Sequence, residues 1–575
     1  MLDYITNRKV LLSAFVCLLT LSCVTEKKIE QPLNVVWISC EDMGPILGAY
    51  GNTIIKTPNL DRLASEGVLY KNAYSTVGVC APSRFSIITG MYSARLGAHN
   101  MRTGDYHNFK TPEEVSYKQD IGVIDKAGVN IPQYEVVPPK HVKPFTEILR
   151  SNDYYCANNF KCDYQFNSPF TAWDEVSSTV TFRDAPKDRP FFYVWNSLLT
   201  HESRIWQRSN EALTVAPQDV IIPDYFPDIP EVRMDIARKY SNIEAMDKKV
   251  GELLSQLEED GLLETTIIMF WSDHGGNLLR QKRAVGNSGL NVPLIVRYPD
   301  KKMAGKVEDR IVSLMDLAPT VLSLLNIEPP VHYDGKAFAG PFEDQPRKYA
   351  FGTADRFDES TDMQRSVLDG RFVYIKNFMP ELPLIYRNKY RERIPMNSKL
   401  IQMDSQRELD GDASYIFMKT KKVEELYDLQ EDPYEVKNVS DDLLEFAEKP
   451  KEVMIVDENG NLLLAGDNDR RFFEAAWLHK YNGKYYFSYS TGDTHFICYA
   501  IGESPYGPFT YKGRILNPVV GWTSHHSICE FKGKWYLFYH DSSLSKGVTH
   551  LRSVKIAEIK YNENGTIQTL DPYRH

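Results

Sequence analysis

Short apolar runs, set between longer amphipathic stretches, organise the first two thirds of the chain. Asn34-Val35-Val36-Trp37-Ile38-Ser39, Phe191-Phe192-Tyr193-Val194-Trp195, Thr266-Ile267-Ile268-Met269-Phe270-Trp271 and Pro293-Leu294-Ile295-Val296-Arg297 are rich in β-branched and aromatic residues. Their length and unbroken apolarity predict strands buried on both faces. Between them, residues 232–257 place Ile236, Tyr240, Ile243, Met246, Val250 and Leu254 at helical spacing. Strands alternating with helices, with polar residues such as Glu41-Asp42 at strand ends, predict an α/β sandwich over a central, largely parallel sheet with its ligands at the carboxyl ends.

From Tyr349 to Asn438 the pattern changes to short strands, including 371–375 and 425–429, and Leu426-Tyr427-Asp428-Leu429-Gln430-Glu431-Asp432-Pro433-Tyr434-Glu435 resembles the closing segment of sulfatase C-terminal subdomains, which implies a small α+β subdomain. A charged stretch, 441–451, reads as a linker. Beyond it, Lys484-Tyr485-Tyr486-Phe487-Ser488-Tyr489 and Lys534-Trp535-Tyr536-Leu537-Phe538-Tyr539 each follow a turn, Asn482-Gly483 and Lys532-Gly533. These are aromatic hairpin strands, and their recurrence at propeller-blade spacing predicts a partial β-propeller-like all-β segment. The expected divisions are 1–22, 34–345, 346–440 and 450–575.

With 575 residues, the chain is too long for one ordinary domain. A net charge of −10, without a Lys/Arg stripe, excludes a nucleic-acid footprint. It also means that cations serving an anionic substrate must be concentrated locally. At the N-terminus, Arg8 and Lys9 precede an apolar run, 10–21, that is too short to span a bilayer and reads as a signal peptide. Leu19-Thr20-Leu21-Ser22-Cys23 matches a loose lipobox, with Thr20 in place of the usual Leu. The expectation is export to the periplasm with a lipid on Cys23 as the membrane anchor; a plain secretory signal is the alternative. Cys40, Cys156, Cys162, Cys498 and Cys529 lack C-x-x-C pairing and read as mostly buried thiols.

The most specific chemistry lies at Cys80-Ala81-Pro82-Ser83-Arg84, followed by Thr89-Gly90. This C-x-P-S-R-x4-T-G spelling resembles the signature of type I sulfatases, members of the alkaline-phosphatase-like superfamily. The resemblance runs from about Asn34 to Asn438. It implies that Cys80 is oxidised after translation to formylglycine by a maturation enzyme that reads Ser83. The hydrated aldehyde is then the nucleophile on sulfur, and Arg84 holds that region. The Ser and Thr nucleophiles of the wider superfamily do not fit this spelling.

Sulfate-ester cleavage also needs a cation, partners for the sulfate charge and an acid for the leaving alcohol. The resemblance assigns the metal to Asp42, Asp273, His274 and Cys80, with Glu41 departing from the usual Asp. Oxygen-rich ligands suit Ca2+ better than zinc. Lys161 stands in Asn159-Phe160-Lys161-Cys162-Asp163, where Asp163 replaces a common His. His201, in Thr200-His201-Glu202, matches the leaving-group acid or sulfate ligand. Lys282 matches a second active-site lysine. His99, Arg102 and His107 are candidates for substrate binding, with a plain loop as the other reading, and His141 reads as surface.

Residues 471–486 resemble glycoside hydrolase family 43, with Glu474 at the position of its general acid; Gly521-Trp522-Thr523-Ser524-His525-His526-Ser527 resembles a later blade motif. Inverting glycosidases need two carboxyl groups, and the family's base lies upstream of anything present here. The segment therefore reads as an accessory piece. The combined expectation is a calcium-dependent sulfatase on a sulfated carbohydrate, such as ulvan with its sulfated rhamnose or xylose. The alternatives are a sulfatase–xylosidase fusion and a carbohydrate-binding protein with a spent site.

Overall fold

A computed structural model describes residues 32–101, 136–358, 360–440, 453–521 and 524–573. The expectations for the signal peptide, Cys23, Arg102 and His107 lie outside the described residues. By internal contacts the chain divides into two units, Met1–Ser440 and Asp441–His575.

The first unit contains β1 (Asn34–Cys40), β2 (Val68–Tyr74), β3 (Tyr155–Asn159), β4 (Glu175–Ser177), β5 (Phe191–Ser197), β6 (Thr266–Ser272), β7 (Asn291–Arg297) and β8 (Lys306–Ser313). They form one sheet in the order β4-β3-β5-β1-β6-β7-β2-β8. Successive residues of β1 enter opposite cores, as the two-residue period of a strand requires. Val36 and Ile38 pack with Ile236, Tyr240 and Ile243 of the long helix Pro230–Glu259. Val35 and Trp37 pack instead with Phe85, Ile87 and Ile88 of the helix Cys80–Thr89. Each such side chain, fully buried, contributes about 1.5–3 kcal/mol. Because helices cover both faces, the strand sequence is apolar throughout rather than alternating.

One strand departs from the parallel expectation. β7 runs antiparallel to both β6 and β2. A parallel neighbour requires a crossover to the other end of the sheet. Residues 273–290 stay at the carboxyl end instead, where the Gly275 N–H donates to Gly289 O at 2.9 Å and the Arg283 N–H to Gly78 O at 2.7 Å. That loop carries much of the candidate site. Register places the rest, because Cys40 of β1 pairs with both Ser272 of β6 and Ser197 of β5. The residues that follow, Glu41-Asp42, Asp273-His274 and the segment to His201, therefore emerge side by side.

The unit ends in an antiparallel sheet, β12-β11-β10-β9, built from β9 (Ala350–Phe357), β10 (Ser360–Leu368), β11 (Phe372–Asn377) and β12 (Glu424–Asp428).

The second unit is all-β. One sheet has the order β13-β17-β16-β15-β14, from β13 (Ile455–Val456), β14 (Glu474–Tyr481), β15 (Lys484–Ser490), β16 (Ile497–Gly502) and β17 (Phe509–Leu516). The other is β18-β19-β20, from β18 (His526–Phe531), β19 (Lys534–Asp541) and β20 (Ser553–Ile559). Both hairpin turns hold two consecutive residues at positive φ, Asn482 and Gly483 at 47° and 84°, Lys532 and Gly533 at 52° and 75°. This is the turn whose twist matches flanking strands, which explains the Asn-Gly signal. Tyr486, Tyr499, Leu537 and Ile559 form its core.

Of the five residual cysteines, Cys40, Cys156, Cys162 and Cys498 are buried, whereas Cys529 is exposed. Among the described residues, no helix is long and apolar enough to cross a membrane.

Candidate active site

Cys80 is the first residue of a helix whose ten residues are all buried, so its Sγ faces the sheet end rather than solvent. The thiol lies 3.6 Å from Glu41 Oε2, 3.9 Å from Asp42 Oδ1, 3.5 Å from His274 Nε2 and 3.6 Å from Lys282 Nζ. Burial raises its pKa well above the ordinary thiol range, and Lys282 offsets this only in part. As a cysteine it is therefore a protonated, poor nucleophile.

Arg84, one helical turn on, is fixed by four acceptors. Its Nε donates to Asp273 Oδ2 at 3.2 Å, its other nitrogens to Asn196 Oδ1 at 3.3 Å and Ser39 Oγ at 3.2 Å, and it also donates to Glu41. Ser83 is buried, and its hydroxyl donates to the Asp273 carbonyl, so it ties the helix to the end of β6.

Four carboxylates, Glu41, Asp42, Asp273 and Glu202, meet four cations, Arg84, Lys161, Lys282 and Arg283. Lys161 Nζ lies 2.5 Å from Glu41 Oε2 and 3.6 Å from Asp163. Lys282 Nζ lies 2.8 and 2.7 Å from the Asp42 oxygens. Burial raises the Glu41 pKa, but Lys161 and Arg84 outweigh it and leave the group well below the carboxylate range. Asp42 is likewise lowered, because Lys282, His201 and His274 overcome its burial. Asp273 is raised by burial and by Glu41. Asp42 also holds φ at +49°, a strained conformation for a non-glycine residue and one that persists where surroundings enforce it.

Two donor groups can hold a cation. Glu41, Asp42, Cys80 and His201 form one, and Cys80, Asp273 and His274 the other; within each, the ligand atoms lie within 4.8 Å of one another. Three buried carboxylates with an imidazole fit a hard divalent ion. His274 Nε2 is 3.0 Å from Asp42 Oδ1, so this ring both orients and competes for that oxygen.

His201 Nε2 lies 3.3 Å from Lys282 Nζ, and its Nδ1 accepts from the Ser203 N–H at 3.2 Å. Burial, then the Lys282 charge, lowers its pKa to about 4, so the ring is neutral near pH 7. His99 lies apart from this cluster in contact with Asp355 of β9. His141 is exposed, as its sequence reading expected. Glu474, in the second unit, has His525 Nε2 at 3.6 Å.

Sequence reasoning missed Asn196, Glu202, Arg283 and Asp358. Glu202 adjoins His201 and Arg283 adjoins Lys282, so adjacency to motif residues was the available signal.

Comparison with known proteins agrees with this geometry. The family described as Sulfatase matches residues 33–327, just over half of the chain, and Glycosyl hydrolases family 43 matches residues 410–567. An "Ulvan-active sulfatase" of Formosa agariphila is 40% identical over 453 residues, covering 72% of each chain. A "Xylosidase/arabinosidase" of Bacteroides ovatus is 63% identical over 139 residues, covering 24% of this chain and 43% of its own. The chain thus spans less than half the length of that relative. A crystal structure from Bacteroides thetaiotaomicron, assigned as a sulfatase, aligns with a TM-score of 0.50 at 19% identity, over 72% of this chain and 89% of its own, and so shares the fold. The sulfatase family match and the ulvan-active relative make the chain a sulfuric ester hydrolase. The chain belongs to the sulfatase family and carries a family-43 glycosidase-like segment at its C-terminal end.

Proposed function

We propose that this chain hydrolyses sulfate esters of a sulfated polysaccharide or its oligosaccharides, with Cys80 converted to formylglycine and Ca2+ as the resident cation. One observation carries the reading: the Cys80 side chain is enclosed by Glu41, Asp42, His274 and Lys282, all within 3.9 Å. An unmodified thiol there is protonated and inert, whereas formylglycine, once formed, supplies a hydrated aldehyde as nucleophile. Asp42, Asp273 and His274, with Glu41, would hold the cation, which supplies positive charge for the nucleophile and the sulfate oxygens.

The remaining roles belong to side chains. Lys161 and Lys282 flank the reacting position with fixed charge, and Arg84 locks the strand ends and the helix together. A sulfate placed beside His201 favours its protonated form, so the ring can deliver a proton from Nε2 to the leaving alcohol. His99 and Arg102 are proposed to contact the sugar. A maturation enzyme acting on the Cys80 segment is the implied partner. Export, with a lipid on Cys23, completes the proposal.

The similarity to an ulvan-active enzyme supports ulvan oligosaccharides as the first substrates to test. Sulfate release from defined ulvan, carrageenan and glycosaminoglycan oligosaccharides tests the reading, and silence on all three would defeat it.

We assign residues 34–345 to the catalytic domain, 346–440 to its C-terminal subdomain and 450–575 to a partial propeller without glycosidase activity of its own. Inverting hydrolysis needs a second carboxyl group across the sugar from Glu474, and the segment's similarity covers less than half of its xylosidase relative, which supports the last assignment. Turnover of an aryl β-xyloside that is lost in Glu474→Gln would overturn it and establish a bifunctional enzyme.

A further inference from the structure

Lys282 is buried and its sequence neighbour Arg283 is largely so, with 13% of its side chain exposed, so two adjacent positive charges need an anion between them. Glu202 supplies it. Its carboxylate takes both Arg283 terminal nitrogens, at 3.1 and 3.0 Å, and lies 3.4 Å from Lys282 Nζ. Its backbone N–H donates to Asp42 Oδ2 at 2.7 Å. Burial raises the Glu202 pKa, but Arg283 and Lys282 hold it down at about 2, so it is ionised.

The chain of charges continues outward. Arg283 Nε donates to Asp358 Oδ2 at 2.6 Å, in the turn between β9 and β10, and Asn388 Nδ2 donates to the same oxygen at 2.8 Å. Arg391 donates to the Lys282 carbonyl at 2.5 Å. Arg283 holds φ at +73°, a backbone conformation that persists in a non-glycine residue only where its surroundings enforce it.

We propose that Glu202 is a positioning residue: it holds Lys282 over the Cys80 side chain, and the Arg283–Asp358 pair braces it from the C-terminal sheet. This inference rests on the sulfatase reading above. Asp42 is the nearer partner of Lys282, yet Asp42 is also a cation ligand in that reading, and a bound ion draws on the same carboxylate. Glu202 stands outside both donor groups and so keeps Lys282 in place when Asp42 is engaged.

The test uses the matured full-length chain. Glu202→Gln keeps shape and removes charge. Its kcat is expected to fall roughly 10–100-fold, the scale of a displaced catalytic group, with KM changing less than about threefold. Glu202→Asp should recover part of the loss. Asp358→Asn, at the more exposed outer end, should fold normally and give a smaller loss of the same kind. Adding Glu202→Gln to Lys282→Ala should cost little more than Lys282→Ala alone, because the two act as one unit. A second readout is independent of turnover: crystal structures of Glu202→Gln and Asp358→Asn should show Lys282 Nζ displaced from Cys80. Full kcat in Glu202→Gln, fully additive losses, or an unmoved Lys282 would each overturn the proposal. Absence of sulfate release in the unsubstituted protein would instead defeat the sulfatase reading, and the Lys282 position would still decide this one.

Discussion

Arg84 reaches Asp273 at 3.2 Å, so the helix that begins at Cys80 is tied to the end of β6 by a fully buried ion pair. The same guanidinium contacts Ser39 and Glu41 at the end of β1 and Asn196 of β5. A lysine cannot reproduce this planar fork. Arg84→Lys is therefore expected to lose at least about 100-fold in kcat/KM, the scale of misplacing reacting groups. It should also destabilise the fold by about 3–5 kcal/mol through the unpaired buried carboxylates. Steady-state kinetics and denaturant unfolding of the variant check both numbers.

The cation gives a second prediction. Chelation should abolish sulfate release, and Ca2+ should restore it, because carboxylate oxygens dominate the donor set. Asp273→Asn removes a ligand from the second donor group and should weaken Ca2+ binding at least about tenfold by calorimetry, in line with loss of a charged ligand. Undiminished activity after exhaustive chelation would contradict the assignment.

A third prediction concerns stability and pH, at a site remote from the chemistry. Asp235, on the long helix, is raised to about 7 by burial; the Met396 N–H at 2.7 Å and Arg238 offset this only in part, and Glu231 adds to it. The folded chain thus keeps a proton that the unfolded chain has released above about pH 4. Stability falls as pH rises from about 4 to 7, at a cost on the order of 2–4 kcal/mol at neutral pH. Asp235→Asn should raise Tm at pH 8 by several degrees, with the gain shrinking toward pH 4. Thermal unfolding at the two pH values measures this, and an equal gain at both would refute it.

Legibility followed the range of the interactions. β1, β5 and β6 announce themselves because a strand buried on both faces must be apolar throughout, and Val35, Phe192 and Ile268 say so locally. β7 is equally apolar, but its direction depends on where residues 273–290 run, which no local pattern encodes. The hairpins of the second unit were readable because their turns demand positive φ and contain Gly483 and Gly533. Cys80, Asp42 and Asp273 were readable as motifs. Glu202 and Arg283 carried only their adjacency to His201 and Lys282 as a signal, because the pairing that reveals their role spans 81 positions. Asp358 was harder still, since its partner Arg283 lies 75 positions away in a different layer of the fold.

The central claim is that the Cys80 side chain, once oxidised, is the nucleophile. It is tested most directly by peptide mass spectrometry of the purified chain, made in a host that carries out the maturation, alongside sulfate release by the same preparation and by Cys80→Ala. The prediction is an aldehyde at position 80 in the active protein and no release from the alanine variant. An intact thiol at that position in a fully active preparation, or sulfate release that survives Cys80→Ala, would contradict it.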